Sequence, residues 1–165
     1  MERTKALTLC AMLTAAALVL SLVESALPLQ AVVPLPGVKL GLGNVVTLYA
    51  LYRLGAGRTL AIVLCRVALL FLLSGSVTAL LMSLCGALAA LCGMLLARRL
   101  WPRGLSVAGV SVIGAALHGI GQILCAAVLT GGLGVVYYLP ALLVSAVPTG
   151  ALTAAIAGGL LRKLR

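Results

Sequence analysis

The run Ser106-Val-Ala-Gly-Val-Ser-Val-Ile-Gly-Ala-Ala-Leu-His-Gly-Ile-Gly-Gln-Ile-Leu-Cys-Ala-Ala-Val-Leu-Thr130 contains no Lys, Arg, Asp or Glu. A hydrocarbon core about 30 Å thick needs roughly 20 apolar residues at 1.5 Å of rise each, so this run is long enough to cross it as one helix. Its polar residues are not scattered. Ser111, Gly114, Ala115, His118, Gly121, Gln122 and Cys125 recur at spacings of three and four and form one small, polar stripe. Ile113, Leu117, Ile120, Leu124 and Val128 form the opposite stripe. A helix with this pattern has one side for a protein interior and one for lipid.

Outward from it the chain repeats the same theme. Apolar runs fall at 6–27, 41–57, 58–74, 76–97, 106–130 and 135–161, separated by Pro, Gly or charge. With 64% hydrophobic and 8% charged residues, against roughly 25% charged in a soluble domain, no room is left for a water-solvated core. The reading is all-α: a polytopic bundle of six transmembrane helices forming a single integral membrane domain over residues 1–165. The second and third runs are divided at Gly55-Ala56-Gly57-Arg58, where two glycines beside a charge favour a turn. The first run exceeds the 7–15 residues typical of a signal-peptide core and ends at Glu24 and Pro28, so an uncleaved first helix is expected.

Charge orients the spans, because Lys and Arg mark cytoplasmic ends. Arg3 and Lys5 precede the first run, Arg53 and Arg58 flank the second connection, Arg98, Arg99 and Arg103 fill the fourth, and Arg162, Lys163 and Arg165 follow the last. Those are ten of the twelve cations. The alternate connections hold only Lys39, so both ends of the chain are expected in the cytoplasm. The net charge of +10 thus reports topology, and no nucleic-acid partner is expected, since small basic groups at helix ends make no basic reading face.

Absent residues exclude much enzymology. The only carboxylates are Glu2 and Glu24, and there is no Asp, so the chain cannot build the paired acidic clusters that hold magnesium on a diphosphate. It also lacks a glycine-rich loop ending in Gly-Lys-Ser or Gly-Lys-Thr. Neither prenyl transfer nor ATP hydrolysis by this chain is expected, and no catalytic residue or cofactor is assigned. Cys10, Cys65, Cys85, Cys92 and Cys125 all lie in apolar runs without zinc-like spacing, so no metal is expected either.

The candidates for function are polar residues placed where polarity is costly. Arg66 lies eight residues into the third run, where a centred arginine costs about 2.5 to 3.5 kcal/mol on insertion scales; it is either buried for a purpose or reaches an interface. His118 and Gln122, one turn apart, either bind a ligand or hydrogen-bond a neighbouring helix. Glu24 closes an inward stripe of Cys10, Thr14, Ala17 and Ser21, and either pairs with Lys39 or Arg66 or sits in interfacial water. Between the first two runs, Pro28, Pro34, Pro36, Gly37, Gly41 and Gly43 surround Lys39 and Asn44, a composition that suits a stiff lid or a plain connector. Tyr137 and Tyr138 precede Pro140 and Pro148, whose kinks either open a cavity or aid packing. The six aromatic residues offer few stacking surfaces for a flat, flavin-like ligand.

The stretch Pro34-Leu-Pro-Gly-Val-Lys-Leu-Gly-Leu-Gly-Asn44, the intramembrane Arg66, His118-Gly-Ile-Gly-Gln122 and Tyr137-Tyr-Leu-Pro140 together resemble the bacterial Gx transporter family, also labelled heptaprenyl diphosphate synthase component I. That family is similar to the S components of energy-coupling factor transporters, six-helix membrane subunits that capture substrate. The resemblance implies an S-component-like fold in the bacterial cytoplasmic membrane and a small-molecule ligand, with a membrane coupling subunit and ATPases of an energy-coupling factor module as partners. Ala11-x-x-x-Ala15 matches the docking motif for that subunit. The implied substrate lining is Glu24, Lys39, Asn44, Arg66, His118, Gln122, Tyr137 and Tyr138, in which cations outnumber the carboxylate and favour an anionic metabolite or vitamin. The alternative is a non-catalytic accessory subunit in prenyl-quinone or flavin/quinone electron-transfer metabolism; an ion-coupled transporter working alone would need a proton relay from Glu24 and His118.

Overall fold

Gly55 turns the chain where the sequence marks a break. Its φ of +82° belongs to the region open to glycine, and this one residue suffices as the turn. Leu54 closes the helix before it by donating its N–H to the Ala50 carbonyl at 2.7 Å, and Ala56 starts the helix after it. Ala56, Gly57 and Arg58, expected in the turn, instead form the first turn of that next helix.

The computed structural model describes residues 3–26, 39–100 and 105–163. Six α-helices follow in order: α1 (Arg3–Ser25), α2 (Asn44–Arg53), α3 (Ala56–Ser74), α4 (Val77–Leu100), α5 (Val107–Thr130) and α6 (Leu139–Lys163), with a 3-10 helix over Leu133–Tyr138 leading into α6. Five segments are long and apolar enough to cross a bilayer: α1, α3, α4, α5, and α6 together with its 3-10 lead. Leu72, Val128, Leu133 and Val144 stand on the outer surface, where exposed apolar area of this extent is suited only to lipid. The protein is a multi-pass membrane bundle.

The sixth helix departs from expectation. The run 41–57 yields only the ten residues of α2, about 15 Å of helix, or half of a hydrocarbon core. Everything from Asn44 to Leu51 is buried, on all sides of the helix, and α2 touches each of the other five helices. A helix apolar all round belongs in an interior, and α2 is the axis around which the longer helices stand. Leu48, Tyr49 and Leu51 pack with Leu91, Met94 and Val110 into the largest core cluster.

Upstream of α2, Lys39-Leu-Gly-Leu-Gly43 is non-helical chain. Irregular backbone at membrane depth survives only where protein supplies its hydrogen bonds. Here Glu24 at the end of α1 supplies them, accepting the N–H of Gly41 at 2.5 Å on one carboxylate oxygen and that of Leu42 at 3.1 Å on the other. Gly41 holds φ at +88°, a conformation other residues rarely take, which turns two successive N–H groups to one anion.

The other end of α2 is served in the opposite sense. Arg98 of α4 donates from Nη1 to the Leu51 carbonyl at 2.7 Å, and its guanidinium lies over the Tyr52 ring, 4.8 Å from the centroid. A carboxylate at the N-terminus and a cation at the C-terminus both complement the helix dipole. Arg98→Met is expected to lower stability by about 1 kcal/mol, because the side chain is solvent-accessible and the bond is one charge-assisted donor; thermal unfolding in detergent, with Arg98→Lys recovering part of the loss, checks it.

Small residues set the remaining spacing. A Cβ on Gly121 of α5 would fall 2.7 Å from the Cys85 carbonyl oxygen of α4, and one on Gly150 of α6 would fall 2.7 Å from the Cα of Val112. Such backbone-to-backbone approach is how membrane helices gain packing energy without a hydrophobic drive. Cys85 and Cys125, forty residues apart in sequence, meet at the same α4–α5 contact. Pro140 falls in the first turn of α6, where its missing N–H costs nothing, while Pro148 lies inside the helix.

Candidate functional site

The inward stripes read from the sequence converge. Ser21 and Glu24 of α1, Asn44 of α2, Arg66 of α3, and His118 and Gln122 of α5 are all buried, while Lys39 is half-buried. Among them lies a cavity bordered by Glu24, Lys39, Arg66, His118, Ser21 and Ser83, with Gly41, Val67 and Leu70 completing the wall. It leaves about 10 Å³ open to the centre of a water molecule, which is room for one water.

Arg66 sits halfway along α3 and is 5% exposed, so its long side chain does not reach an interface. Nη1 makes its one hydrogen bond among the described residues, 3.5 Å to Ser21 Oγ, and Ser21 in turn donates to the Ala17 carbonyl at 2.9 Å. The guanidinium lies against the backbone of Gly43: a Cβ there would fall 1.7 Å from Nη1. A guanidinium has five N–H groups. Arg66 borders the cavity, and the described residues take only this one of its N–H groups.

Glu24 resolves its alternatives in a third way. It is buried rather than interfacial, and its two oxygens take backbone N–H groups rather than a cation. Lys39 and Arg66 are near enough to feel its charge without taking its oxygens. Burial pulls the Lys39 amine below the ordinary lysine value; Glu24 opposes that shift and Arg66 adds to it.

His118 and Gln122, one turn apart on α5, have different roles. Gln122 pairs with the main chain of Lys39, its amide nitrogen donating to the carbonyl at 2.9 Å and its oxygen accepting the N–H at 3.1 Å. It holds the segment rather than the cavity. His118 faces the cavity with neither ring nitrogen in a well-formed hydrogen bond, although the Gly86 backbone is a polar neighbour. The side-chain amide of Asn44 and the hydroxyl of Ser83 are also buried without partners. Buried polar atoms of this kind cost about 1–3 kcal/mol each unless something satisfies them.

Four expected members do not border the cavity: Asn44 and Gln122 are buried outside its wall, and the two tyrosines lie elsewhere. Tyr137 is 86% exposed on the 3-10 helix, and Tyr138 packs beside Met82, Ile123 and Leu142. Neither tyrosine borders the cavity, and α6 contributes nothing to its wall. Ala11 and Ala15 are exposed on the outer face of α1. Pro28, Pro34, Pro36 and Gly37 of the expected lid lie outside the described residues.

Ser83 and Gly86 were missed. Gly86 lies beneath the histidine, where a Cβ would fall 3.0 Å from His118 Cε1 and 2.9 Å from Gln122 Cγ. The signal was present in α4 as Ser83, Gly86, Ala90 and Gly93, small residues at spacings of three and four that are all buried.

Residues 13–160 match the family model described as heptaprenyl diphosphate synthase component I. No curated protein and no solved structure matches the chain. Nearly the whole described bundle, from the middle of α1 to the end of α6 and with every residue around the cavity, falls within the match, and the chain belongs to the heptaprenyl diphosphate synthase component I family.

Proposed function

We propose that this protein is the substrate-capture subunit of a membrane uptake system, S-component-like, binding a small anionic metabolite or vitamin in the Lys39–Arg66–His118 cavity. The observation that carries this reading is Arg66: a buried intramembrane cation that borders a cavity with one hydrogen bond among the described residues, while the nearby carboxylate is committed to backbone N–H groups. Ionisable residues at membrane depth mark substrate or ion pathways. The chain lies in the bacterial cytoplasmic membrane with both ends inside, and is not an enzyme. A membrane coupling subunit and ATPases supply the energy, and the exposed Ala11 and Ala15 offer α1 a close docking face.

The test is a thermal-shift screen of the detergent-purified chain against vitamins, flavins, quinone precursors, isoprenoid phosphates and organic acids. Ligand at 100 times its dissociation constant stabilises by about 2.7 kcal/mol. The expected result is a shift lost in Arg66→Ala and His118→Ala, with both variants still inserted. Unchanged affinity in Arg66→Ala would sink the assignment.

The same site carries a pH dependence. Lys39 holds an anion only while protonated, and its amine is pulled below the ordinary lysine value. Affinity is therefore expected to be full at neutral pH and to fall as pH rises, beginning below the range where a free lysine titrates, about 10.4. Titration calorimetry across that range checks it, and Lys39→Arg should flatten the profile.

The family description favours a second reading, a non-catalytic accessory subunit that recruits a prenyl diphosphate synthase or a flavin/quinone electron-transfer enzyme. Under it no compound shifts the melting point, a synthase or redox enzyme co-purifies, and Arg53, Arg58 and Arg99 matter more than His118.

A further inference from the structure

We propose that the cavity selects a compact organic acid carrying one negative charge, in preference to dianions and to neutral analogues of the same shape. This rests on the substrate-capture reading above and narrows it to a chemical class.

Charge is the first ground. Lys39 and Arg66 face the cavity, and Glu24 is the one carboxylate there. Lys39 and Arg66 set against Glu24 leave one excess positive charge. In a buried site an uncompensated charge is expensive. A monoanion brings the sum to zero; a dianion leaves one negative charge unmatched, and a neutral ligand leaves the positive one.

The wall supplies the rest of the description. His118 and Ser83 border the cavity, each more than nine-tenths buried, and neither the ring nitrogens nor the hydroxyl makes a well-formed hydrogen bond among the described residues. They fit the second carboxylate oxygen or a hydroxyl or carbonyl close to it. Val67 and Leu70 form the apolar side of the wall and suit a short hydrocarbon portion. Among the described lining residues there is no Phe, Tyr or Trp, so the wall offers no large aromatic face to a flat ring.

Size follows from what can yield. The present space holds one water, so even a small acid must move a wall. Ser21, Glu24, Arg66, Val67, Leu70, Ser83 and His118 all stand on helices, and only Lys39 and Gly41 stand on the non-helical segment. That segment is tied by Glu24 through Gly41 and Leu42 and by Gln122 through Lys39. Displacement of residues 39–43 makes the room, and a bulky ligand would need those ties broken.

The experiment uses the full chain in detergent at neutral pH with acetate, lactate and butyrate as monoanions, succinate and methyl phosphate as dianions, and butyramide as the neutral isostere. Binding is read by calorimetry and by thermal shift. The expected result is binding of the monocarboxylates, with the dianions at least tenfold weaker and butyramide silent. In Lys39→Gln, monocarboxylate affinity should fall at least tenfold, and Lys39→Arg should restore it. The wild-type series decides the charge rule even if a variant fails to fold. Succinate or methyl phosphate binding as tightly as butyrate would overturn the single-charge rule and leave anion capture standing. Silence from every probe would overturn both.

Discussion

Glu24→Ala is expected to cost about 3–5 kcal/mol of stability and to loosen the first turn of α2. Two N–H groups lose their acceptor inside the protein, and each hydrogen bond to a charged group is worth about 1.5–3 kcal/mol. Lys39 and Arg66 also lose the one negative charge near them, and removing one member of a buried charged group is among the costliest substitutions. Glu24→Gln separates the two effects. Its amide oxygen can still accept one N–H, but its NH2 group then faces a donor, so recovery should be partial. Hydrogen exchange at Gly41 and Leu42, with thermal unfolding in the same detergent, reads the result. A carboxylate merely resting in interfacial water would give a change within about 0.5 kcal/mol in both variants.

Gly121→Leu is the second large effect. A Cβ alone would fall 2.7 Å from the Cys85 carbonyl oxygen and 2.8 Å from the Ala89 Cβ, and the first of these is backbone, which cannot rotate aside. The α4–α5 contact must open, so the expected loss is at the upper end of the 1–3 kcal/mol typical of overpacking, about 3 kcal/mol. Gln122 is the next residue, and any shift of α5 also disturbs its pairing with Lys39. Ligand affinity should therefore fall together with the melting temperature. Gly158→Ala is the matched control: nothing lies within 4 Å of its Cβ position, and helix propensity should make it neutral or stabilising by up to about 1 kcal/mol.

The long helices and their inner faces were legible because both depend on local pattern. Twenty apolar residues specify a span, and a polar residue every three or four specifies a side; that pattern puts Glu24, His118 and Gln122 on inward stripes, whereas for Arg66 it leaves a buried role and an interface both open. The outer stripe of α5 was legible only in part. Leu124 and Val128 face lipid, but Ile113 and Leu117 are half-buried, because Gly93 of α4 makes room for Leu117. The half-length of α2 was not legible. Gly41 and Gly43 weaken a helix there without forbidding one; a carboxylate seventeen residues earlier takes the N–H groups instead. Tyr137 and Tyr138 looked like lining because they precede a proline-bearing helix, yet Tyr137 lies on the outer surface, where amphipathic rings gather at membrane interfaces. Ser83 was hidden for the opposite reason, since one hydroxyl in an apolar helix reads as packing.

The ten residues of α2 bear on how the chain is assembled during synthesis. A segment that covers half the hydrocarbon core falls short of the roughly 20 apolar residues by which a span is recognised as it leaves the ribosome. In lipid on its own, its first N–H groups would go unmatched at several kcal/mol each. One of its two anchors is made early, since Glu24 arrives with α1. The other comes late: Arg98 lies 47 residues after the Leu51 carbonyl it meets. Both ends of α2 therefore have their charged partners only once α4 has been made, so the central helix of the finished protein depends on a segment synthesised well after it.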